Sequence, residues 1–178
     1  MGIIYPDFVK SLYRKLKMDE LDFRILRELQ KDGRIPNNVL AEKVGLSPSP
    51  CLRRVKQLEE SGAIARYVAI LNPAAMGLEL TVFVRVWLRS QDADTVDNFA
   101  REVRALPEVV ECHLMVGDCD FLLRVVAADL NAYRQFQIDH LARISGVQSL
   151  KTELPMQTIK QTSELPLGQG GENGRRVV

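Results

Sequence analysis

The sequence has little of what would place a protein outside a reducing compartment or within a membrane. Its three cysteines are odd in number and too few for a disulfide framework, so we expect a cytoplasmic setting. No apolar run approaches the length needed to cross a bilayer, and the N-terminus carries no evident secretory signal. The formal net charge is only +1 over 178 residues, which by itself indicates no charged partner. These absences favour a globular protein, and a length of 178 residues allows one large domain or two small ones.

The charge that is present is unevenly distributed along the chain. Residues 1–70 contain 13 Lys and Arg against 9 Asp and Glu, a net charge of +4. Residues 71–163 contain 9 against 12, a net charge of −3. A basic first part and an acidic second part predict two domains with different partners.

Residues 37–62 have the pattern of two short helices joined by a tight turn. The apolar stripe of the first helix consists of Leu40, Ala41 and Val44. Gly45 follows this stripe as a left-handed helix cap. Ser47 is a favourable N-cap for the second helix, and Pro48 occupies its first position, where a missing N–H costs nothing.

The second helix is predicted to bury one face and to expose a basic one. Its predicted buried side chains are Cys51, Leu52, Val55 and Leu58. The side chains predicted to cap it or to face outward are Ser47, Ser49, Pro50, Arg53, Arg54 and Gln57. Arg and Gln suit base edges, and Ser and Arg suit phosphates, so one interpretation is a helix that enters the major groove of DNA. The other is an ordinary solvated face, and the spacing alone does not decide between them.

A further helix is predicted before this pair, with Asp19 as N-cap and Asp22 in the first turn. Its apolar stripe is Leu21, Ile25, Leu26 and Leu29. Residues 64–71 have the pattern of a short strand that would form a wing or a hinge. We therefore predict a helix-turn-helix domain over residues 18–71 and a linker over residues 72–79. Residues 1–17 are either a basic amphipathic helix that contacts DNA or a partner subunit, or an upstream extension.

Residues 80–164 show strand and helix patterns in the order β-α-β-β-α-β. The predicted elements are strand Leu80–Leu88, helix 94–106, strands 109–116 and Phe121–Ala127, a helix capped by Asp129, and strand 147–154. The apolar face of the second helix is predicted to hold Leu130, Tyr133, Phe136, Ile138 and Leu141. The order is that of the ferredoxin-like fold, so the predicted fold class is α+β.

The sheet of this second domain is predicted to have one face without a helical cover. Phe83 and Trp87 lie on that face and are too apolar to be left in water, so a second copy of the sheet is the natural cover. A two-fold dimer would also suit palindromic DNA. Residues 165–178 are Gly-rich and polar and are predicted to form a disordered tail.

Several segments, in order, carry a resemblance to a known family. They are DFRILRELQKDGRI, LAEKVGLSPSPCLRRVKQLEESGAI, LNP, VVECHLMVGDCDFLLRV and AYRQF. Through them residues 18–164 resemble the Lrp/AsnC, or feast/famine, transcription regulators. The resemblance implies a winged helix-turn-helix domain that reads double-stranded DNA through residues 48–61, joined to an amino-acid-sensing domain. It also implies a non-enzymatic regulator of amino-acid metabolism that forms homodimers, commonly octamers of four dimers, with effectors bound between neighbouring C-terminal domains.

The chemistry of a sensing site can be sought in the turn at residues 117–120. An amino acid needs N–H donors for its carboxylate and oxygens for its ammonium group. Gly117 lets the backbone approach closely, Asp118 and Asp120 offer carboxylates, and Asp120 is predicted to face the ammonium group. The same residues favour an ordinary hairpin turn, and only the resemblance favours the site. Residues that would line a side-chain pocket are Leu114, Leu130, Thr152 and Leu154, although the leucines also fit a plain core.

The expected effector is leucine or another small apolar amino acid, and no cofactor or metal is expected. The strand LKTELPM is less hydrophobic than in many relatives, which leaves the effector's identity open.

Other chemistries have weaker support. Cys112, His113 and Cys119 suggest a metal, but the first two alternate to opposite strand faces and no second ligand pair follows. Cys51 has no nearby His to activate it as a nucleophile. The fold also hosts acylphosphatases, but the loop after the first strand lacks a Gly-rich phosphate cradle. The serious alternative is an amino-acid-binding protein that regulates an enzyme through protein contacts.

Overall fold

The computed structural model describes residues 18–167, which form two compact units. The first unit comprises residues 18–69 together with residues 162–167, and the second comprises residues 70–161. These boundaries differ from the sequence interpretation, which placed residues 162–164 in the second domain. The predictions for residues 1–17 and for the tail beyond residue 167 lie outside the described residues.

The first unit contains three helices packed around a small apolar core. They are α1 (Glu20–Lys31), α2 (Asn37–Val44) and α3 (Pro48–Glu60). The buried core side chains are Ile25, Leu40, Ala41, Val44, Cys51 and Leu58. Because all three helices contribute to one cluster, the predicted three-helix arrangement is confirmed and α3 is held against the other two.

The turn between α2 and α3 depends on Gly45. Its φ of 74° is left-handed, and its N–H donates to the carbonyls of Ala41 and Glu42 at the end of α2. A residue with a Cβ would be strained at this φ, so glycine allows the chain to reverse within a few residues. The Asn37 side-chain amide also donates to the Pro48 carbonyl, at 2.9 Å, which ties the start of α2 to the first turn of α3.

Residues 64–71 form no strand, so that prediction is wrong for the described chain. A strand needs a hydrogen-bonded neighbour, and the four described strands pair only with one another. The exposed apolar side chains of this segment include Val68, Ile70 and Leu71. Tyr67 instead packs against Gly33 and donates a hydrogen bond to Glu59 at 3.0 Å. Burial and this hydrogen bond raise the pKa of Tyr67 to about 12.

Residues 162–167 belong to the first unit, and Leu165 forms two hydrogen bonds with Gln30 of α1. The Gln30 side-chain amide donates to the Leu165 carbonyl at 3.3 Å and accepts from the Leu165 N–H at 2.6 Å. One glutamine thus satisfies both backbone groups of a residue 135 positions away.

The second unit is a four-stranded antiparallel sheet with two helices. Its elements are β1 (Leu80–Leu88), α4 (Ala93–Arg104), β2 (Val109–Leu114), β3 (Phe121–Ala127), α5 (Leu130–Asp139) and β4 (Val147–Glu153). The strand order is β2-β3-β1-β4, which is the ferredoxin-like order. The predicted α+β fold class is therefore confirmed. The structure begins and ends α4 slightly earlier than predicted, and β2 and β4 end two and one residues earlier.

The core of this unit lies between the sheet and the helices. Alternate residues of β1 are buried, namely Val82, Val84, Val86 and Leu88. Phe99 of α4 packs its ring against Phe121 of β3, with centroids 4.5 Å apart. Leu130 and Ile138 are 58% and 46% exposed, so their predicted place on the buried face of α5 is wrong. Leu130 is the first residue of its helix, and Ile138 lies off the stripe defined by the buried Tyr133 and Phe136.

Candidate nucleic-acid interface and ligand turn

Helix α3 presents a continuous exposed face that is polar and basic. The exposed residues of its first three turns are Pro48, Ser49, Leu52, Arg53, Lys56 and Gln57. Ser49, Arg53 and Lys56 follow the spacing that aligns side chains along one side of a helix. Arg53 and Lys56 have no ion pair or hydrogen bond with another described residue, so their donors are available to an external partner.

Two residues on this face differ from the sequence interpretation. Leu52 is 45% exposed, so its predicted burial is wrong, because Cys51, Val55 and Leu58 already define the packed side. Lys56 was missed as a candidate, although its position three residues after Arg53 places it on the same side. The helical spacing itself could have revealed Lys56.

The N-terminus of α3 is left without an acidic neighbour. Ser47 occupies the N-cap position, but its hydroxyl makes no capping hydrogen bond with a described backbone N–H. Pro48 takes the first helical position, and the first turn contains no Asp or Glu. Pro48 and Pro50 have no N–H, and the Cys51 N–H donates to the Ser47 carbonyl at 3.2 Å, so Ser49 supplies the free backbone N–H of this turn. A phosphate group binds favourably at such a helix end.

Arg54 does not face outward as predicted. Its Nη1 lies 2.8 Å from Asp22 Oδ1 and 2.8 Å from Asp19 Oδ2, both at the start of α1. Its side chain is 25% exposed. The hydrogen bond to Asp22 raises the pKa of Arg54 above its usual value. Burial alone would raise the pKa of Asp19, but hydrogen bonds from the Asp22 N–H and from Arg54 hold it below its usual value.

Hydrogen bonds join the turn between β2 and β3 to the end of β1. The Met115 N–H donates to the Asp120 carbonyl at 2.9 Å, and the Asp120 N–H donates to the Val86 carbonyl at 2.9 Å. Trp87 Nε1 donates to the Asp118 carbonyl. Gly117 has a φ of 147° and open space around it, so its backbone geometry and not crowding favours glycine here.

The two carboxylates of this turn have different surroundings. Asp120 accepts from the Leu88 N–H at 2.7 Å through Oδ2 and from Gln91 Nε2 at 2.8 Å through Oδ1. Asp118 is exposed, and its carboxylate has no partner among the described residues. Both oxygens of Asp120 already accept hydrogen bonds within the domain, and its role as the acceptor for an ammonium group stays a prediction. Asp118 is the carboxylate left open to a ligand.

One chain does not bring all of the predicted pocket residues together. Leu114 pairs with Phe121 beside the turn, near the end of β1 at Val86. Leu130 follows β3, whose last residue pairs with Leu80 at the other end of β1. Six residues of strand separate these ends, or roughly 20 Å. A single amino acid cannot span that distance within one subunit.

The remaining pocket residues also differ from the prediction. Thr152 lies near the end of β4, where its Oγ1 is hydrogen bonded to the hydroxyl of the buried Tyr133. Burial raises the pKa of Tyr133, and the Thr152 contact acts in the opposite direction. Leu154 follows β4 and is 53% exposed, and Leu114 is 46% exposed, so neither forms a plain core position.

The sheet face opposite the helices combines apolar and paired charged side chains. Phe83 and Trp87 are half-buried there, as the sequence predicts. Arg85 contacts Glu153 at 3.2 Å, and across the sheet an Arg124–Glu111 pair lies at 2.7 Å. Because these charges are already neutralised in pairs, the face can be covered at a smaller electrostatic cost than an unpaired charged surface.

The cysteines are separate from one another. Cys51 and Cys119 are buried and Cys112 is exposed, and all three are free thiols. Burial raises the pKa of the Cys51 thiol, and partial burial raises the pKa of the Cys112 thiol against the opposing charge of Arg104, so both thiols are poorer nucleophiles. Within residues 18–167 no group of three or more Cys, His, Asp and Glu side chains is arranged to hold a metal ion. Over the same residues, no helix is both long and apolar enough to span a bilayer.

Two protein families match the two units. Residues 18–65 match a family described as winged helix-turn-helix DNA-binding. Residues 81–165 match the family described as the Lrp/AsnC ligand binding domain. The first match contains α1 to α3, and the second contains the sheet except for Leu80, including the turn at residues 117–120.

Similar proteins cover nearly the whole described chain. The leucine-responsive regulatory protein of Escherichia coli (strain K12) is 44% identical over 148 residues, which is 83% of this chain and 90% of that protein. A transcriptional regulator from Neisseria meningitidis, solved in complex with L-Met, is 42% identical with a TM-score of 0.81, covering 84% of this chain and 96% of that one. An AsnC family transcriptional regulator from Agrobacterium tumefaciens is 43% identical with a TM-score of 0.80, covering 84% and 97%.

Proposed function

Because the chain belongs to the Lrp/AsnC family of transcriptional regulators, we infer that it binds DNA and that a bound amino acid modulates this activity. The first unit supplies the DNA-binding helix and the second supplies the ligand-binding domain. We propose that the protein regulates genes of amino-acid metabolism and catalyses no reaction itself.

The observation that carries this proposal is the free basic face of α3. Arg53 and Lys56 project from the exposed side of a helix whose other side is packed in a three-helix core. Arg can donate to guanine in the major groove, and both side chains can pair with phosphates. The Ser49 hydroxyl and the Ser49 backbone N–H add donors for the phosphate backbone at the N-terminal end of the same helix.

The test is the DNA affinity of Arg53→Ala and Lys56→Ala. The probes are a duplex selected from a random library by the wild-type protein and a scrambled duplex of the same composition. Loss of a base-edge contact should weaken binding to the selected duplex by about 5- to 150-fold. Loss of a phosphate contact should weaken both complexes and reduce the salt slope by about 0.9.

The control for this test is Arg101→Ala, which removes an exposed arginine from the second unit. It should bind both duplexes as the wild type does. Wild-type affinity of both Arg53→Ala and Lys56→Ala would refute the proposed role of α3.

We also propose that the effector is leucine, methionine or another apolar amino acid held at the turn of residues 117–120. The free Asp118 carboxylate suits the ammonium group, and the backbone around Gly117 suits the carboxylate. The L-Met complex of the Neisseria relative supports an apolar amino acid. Because Leu130 and Leu154 lie toward the other end of β1, we propose that a neighbouring subunit completes the site.

The assembly that we propose is a homodimer, with four dimers forming an octamer. The half-buried Phe83 and Trp87 on the helix-free sheet face support a dimer in which two sheets cover one another. A ligand turn that is open in one subunit supports further contacts between dimers.

A further inference from the structure

Arg54 is the next residue after Arg53 on α3, but the two side chains have separate environments. An α-helix has 3.6 residues per turn, so consecutive side chains point about 100° apart. Arg53 is exposed and unpaired among the described residues, whereas Arg54 reaches the start of α1. The two arginines therefore cannot serve the same face of the helix.

The partners of Arg54 are the two residues that cap α1. Asp19 Oδ1 accepts from the Asp22 N–H, and Asp22 Oδ2 accepts from the Asp19 N–H, both at 3.0 Å. These bonds form a reciprocal capping box that uses one oxygen of each carboxylate. Arg54 Nη1 contacts the other oxygen of each, at 2.8 Å in both cases. The capping box thus presents two aligned oxygens to a single guanidinium nitrogen.

The charges at this contact leave Arg54 poorly suited to hold a phosphate. One guanidinium lies between two carboxylates, so the cluster carries a net negative charge. Asp22 is only 14% exposed, which limits the screening of its interaction with Arg54 by water. A DNA phosphate would have to compete with both carboxylates for the same nitrogen.

We propose that Arg54 is a positioning residue, which anchors α3 to the capping box of α1 and thereby aims Arg53 and Lys56 at the DNA. The contact fixes the rotation of α3 about its own axis at a point one residue from Arg53. Its role rests on α3 being the DNA-reading helix, as proposed above.

The most discriminating variant is Asp22→Asn, which removes the charge of the less exposed of the two carboxylate partners and leaves Arg54 in place. Asn keeps one acceptor oxygen for the capping box but loses one of the two charges that hold Arg54, so that only Asp19 remains as its ionic partner. If Arg54 contacted DNA, releasing it and removing a nearby negative charge would strengthen binding. If Arg54 positions α3, the variant should instead bind the library-selected duplex about tenfold more weakly. A change of this size lies within the range of interaction energies between residues of one hydrogen-bond network.

The matched control is Glu42→Gln, which removes an exposed acidic charge of α2 that has no described partner. It should leave affinity for the selected duplex unchanged or slightly increased. The Arg54→Ala/Asp22→Asn double variant should bind no more weakly than Arg54→Ala alone, because Asp22 acts on α3 through Arg54.

Arg54→Lys provides the conservative rescue. A single nitrogen of Arg54 contacts both carboxylates, so the single nitrogen of Lys should retain most of the affinity. An arginine that read guanine with two donors would lose much of its affinity on the same change. For Arg54→Ala, the salt slope on the scrambled duplex should equal the wild-type slope, since no phosphate contact is removed.

All affinities are to be measured at a temperature well below the thermal unfolding midpoint of each variant, so that every variant is folded and a change in stability alone does not alter its affinity. Wild-type affinity of Asp22→Asn, or a salt slope of Arg54→Ala reduced by about 0.9, would overturn the positioning role. Arg53→Ala keeps the two proposals apart. If it loses affinity while Asp22→Asn does not, only the role of Arg54 is wrong, and if it retains affinity, the role of α3 is wrong.

Discussion

At the scale of single residues, neighbours in the sequence have different tasks because their surroundings differ. Arg53 is exposed on α3, while Arg54 is bound by two carboxylates. In the second unit, Asp118 is exposed, while Asp120 accepts hydrogen bonds that join β3 to the end of β1. In each pair one residue is available to a ligand and the other maintains the architecture that presents it.

The aspartates of the turn should therefore respond differently to substitution. Asp118→Asn should weaken the binding of L-leucine or L-methionine by about 10- to 150-fold, the value of a lost charge-assisted hydrogen bond. Its stability should change by less than about 0.5 kcal/mol because the side chain is exposed. Asp120→Ala should instead cost about 1–3 kcal/mol of unfolding free energy, since the Leu88 N–H loses its acceptor.

Calorimetry with each amino acid and denaturant unfolding of each variant separate the two effects. An Asp118→Asn variant that binds as tightly as the wild type would show that the ammonium group lies elsewhere. An Asp120→Ala variant of unchanged stability would show that its hydrogen bonds contribute nothing to the fold.

The sequence could predict which residue types carry the chemistry, but not which member of each pair is free. The partners of Arg54 lie 32 and 35 positions away, on a different helix, and Asp120 reaches back 32 positions to Leu88. Such partners depend on how elements pack, which local periodicity does not encode. Lys56 is different, because the spacing from Arg53 alone places it on the exposed face.

At the scale of elements, strands and helices were predictable where their pattern agrees with their packing. The period-two alternation of β1 places Val82, Val84 and Val86 under the helices and leaves Phe83 and Trp87 on the other face. The segment 64–71 has a similar apolar character but no strand partner within the described chain. Alternation reports the capacity to form a strand, whereas pairing requires a neighbour.

The exposed face of the sheet should control assembly. Phe83→Ser removes an apolar side chain from the centre of that face and leaves the Trp87 hydrogen bond to the turn intact. We expect the wild type to sediment as dimers or larger assemblies at micromolar concentration, and the variant to shift toward a single chain, because the covered apolar area decreases.

Ile159→Ser is the matched control, since Ile159 is 83% exposed and lies outside the sheet. It should sediment as the wild type does. Circular dichroism should show that Phe83→Ser retains the native fold. A folded Phe83→Ser variant with the wild-type sedimentation coefficient would place the dimer contact on another surface.

At the scale of the whole molecule, the chain joins a DNA-binding unit to an acidic ligand-binding unit. This division was visible in the charge distribution, and the matched families place the two activities in the two units. The extent of each unit was less predictable. Residues 162–167 belong to the first unit, where Gln30 binds both backbone groups of Leu165. Local sequence patterns do not predict a contact between residues so far apart in the chain.

The central claim is that an amino acid bound to the second unit changes how tightly the first unit holds DNA. The direct measurement is the Kd for the library-selected duplex at fixed salt, without ligand and with saturating L-leucine or L-methionine. The account predicts a shift of about 5- to 150-fold with at least one of them, and linkage requires DNA to change that amino acid's affinity by the same factor. At a ligand concentration that just saturates the wild type, Asp118→Asn should show a smaller shift. Calorimetric binding of the amino acid with an unchanged Kd for DNA would contradict the account.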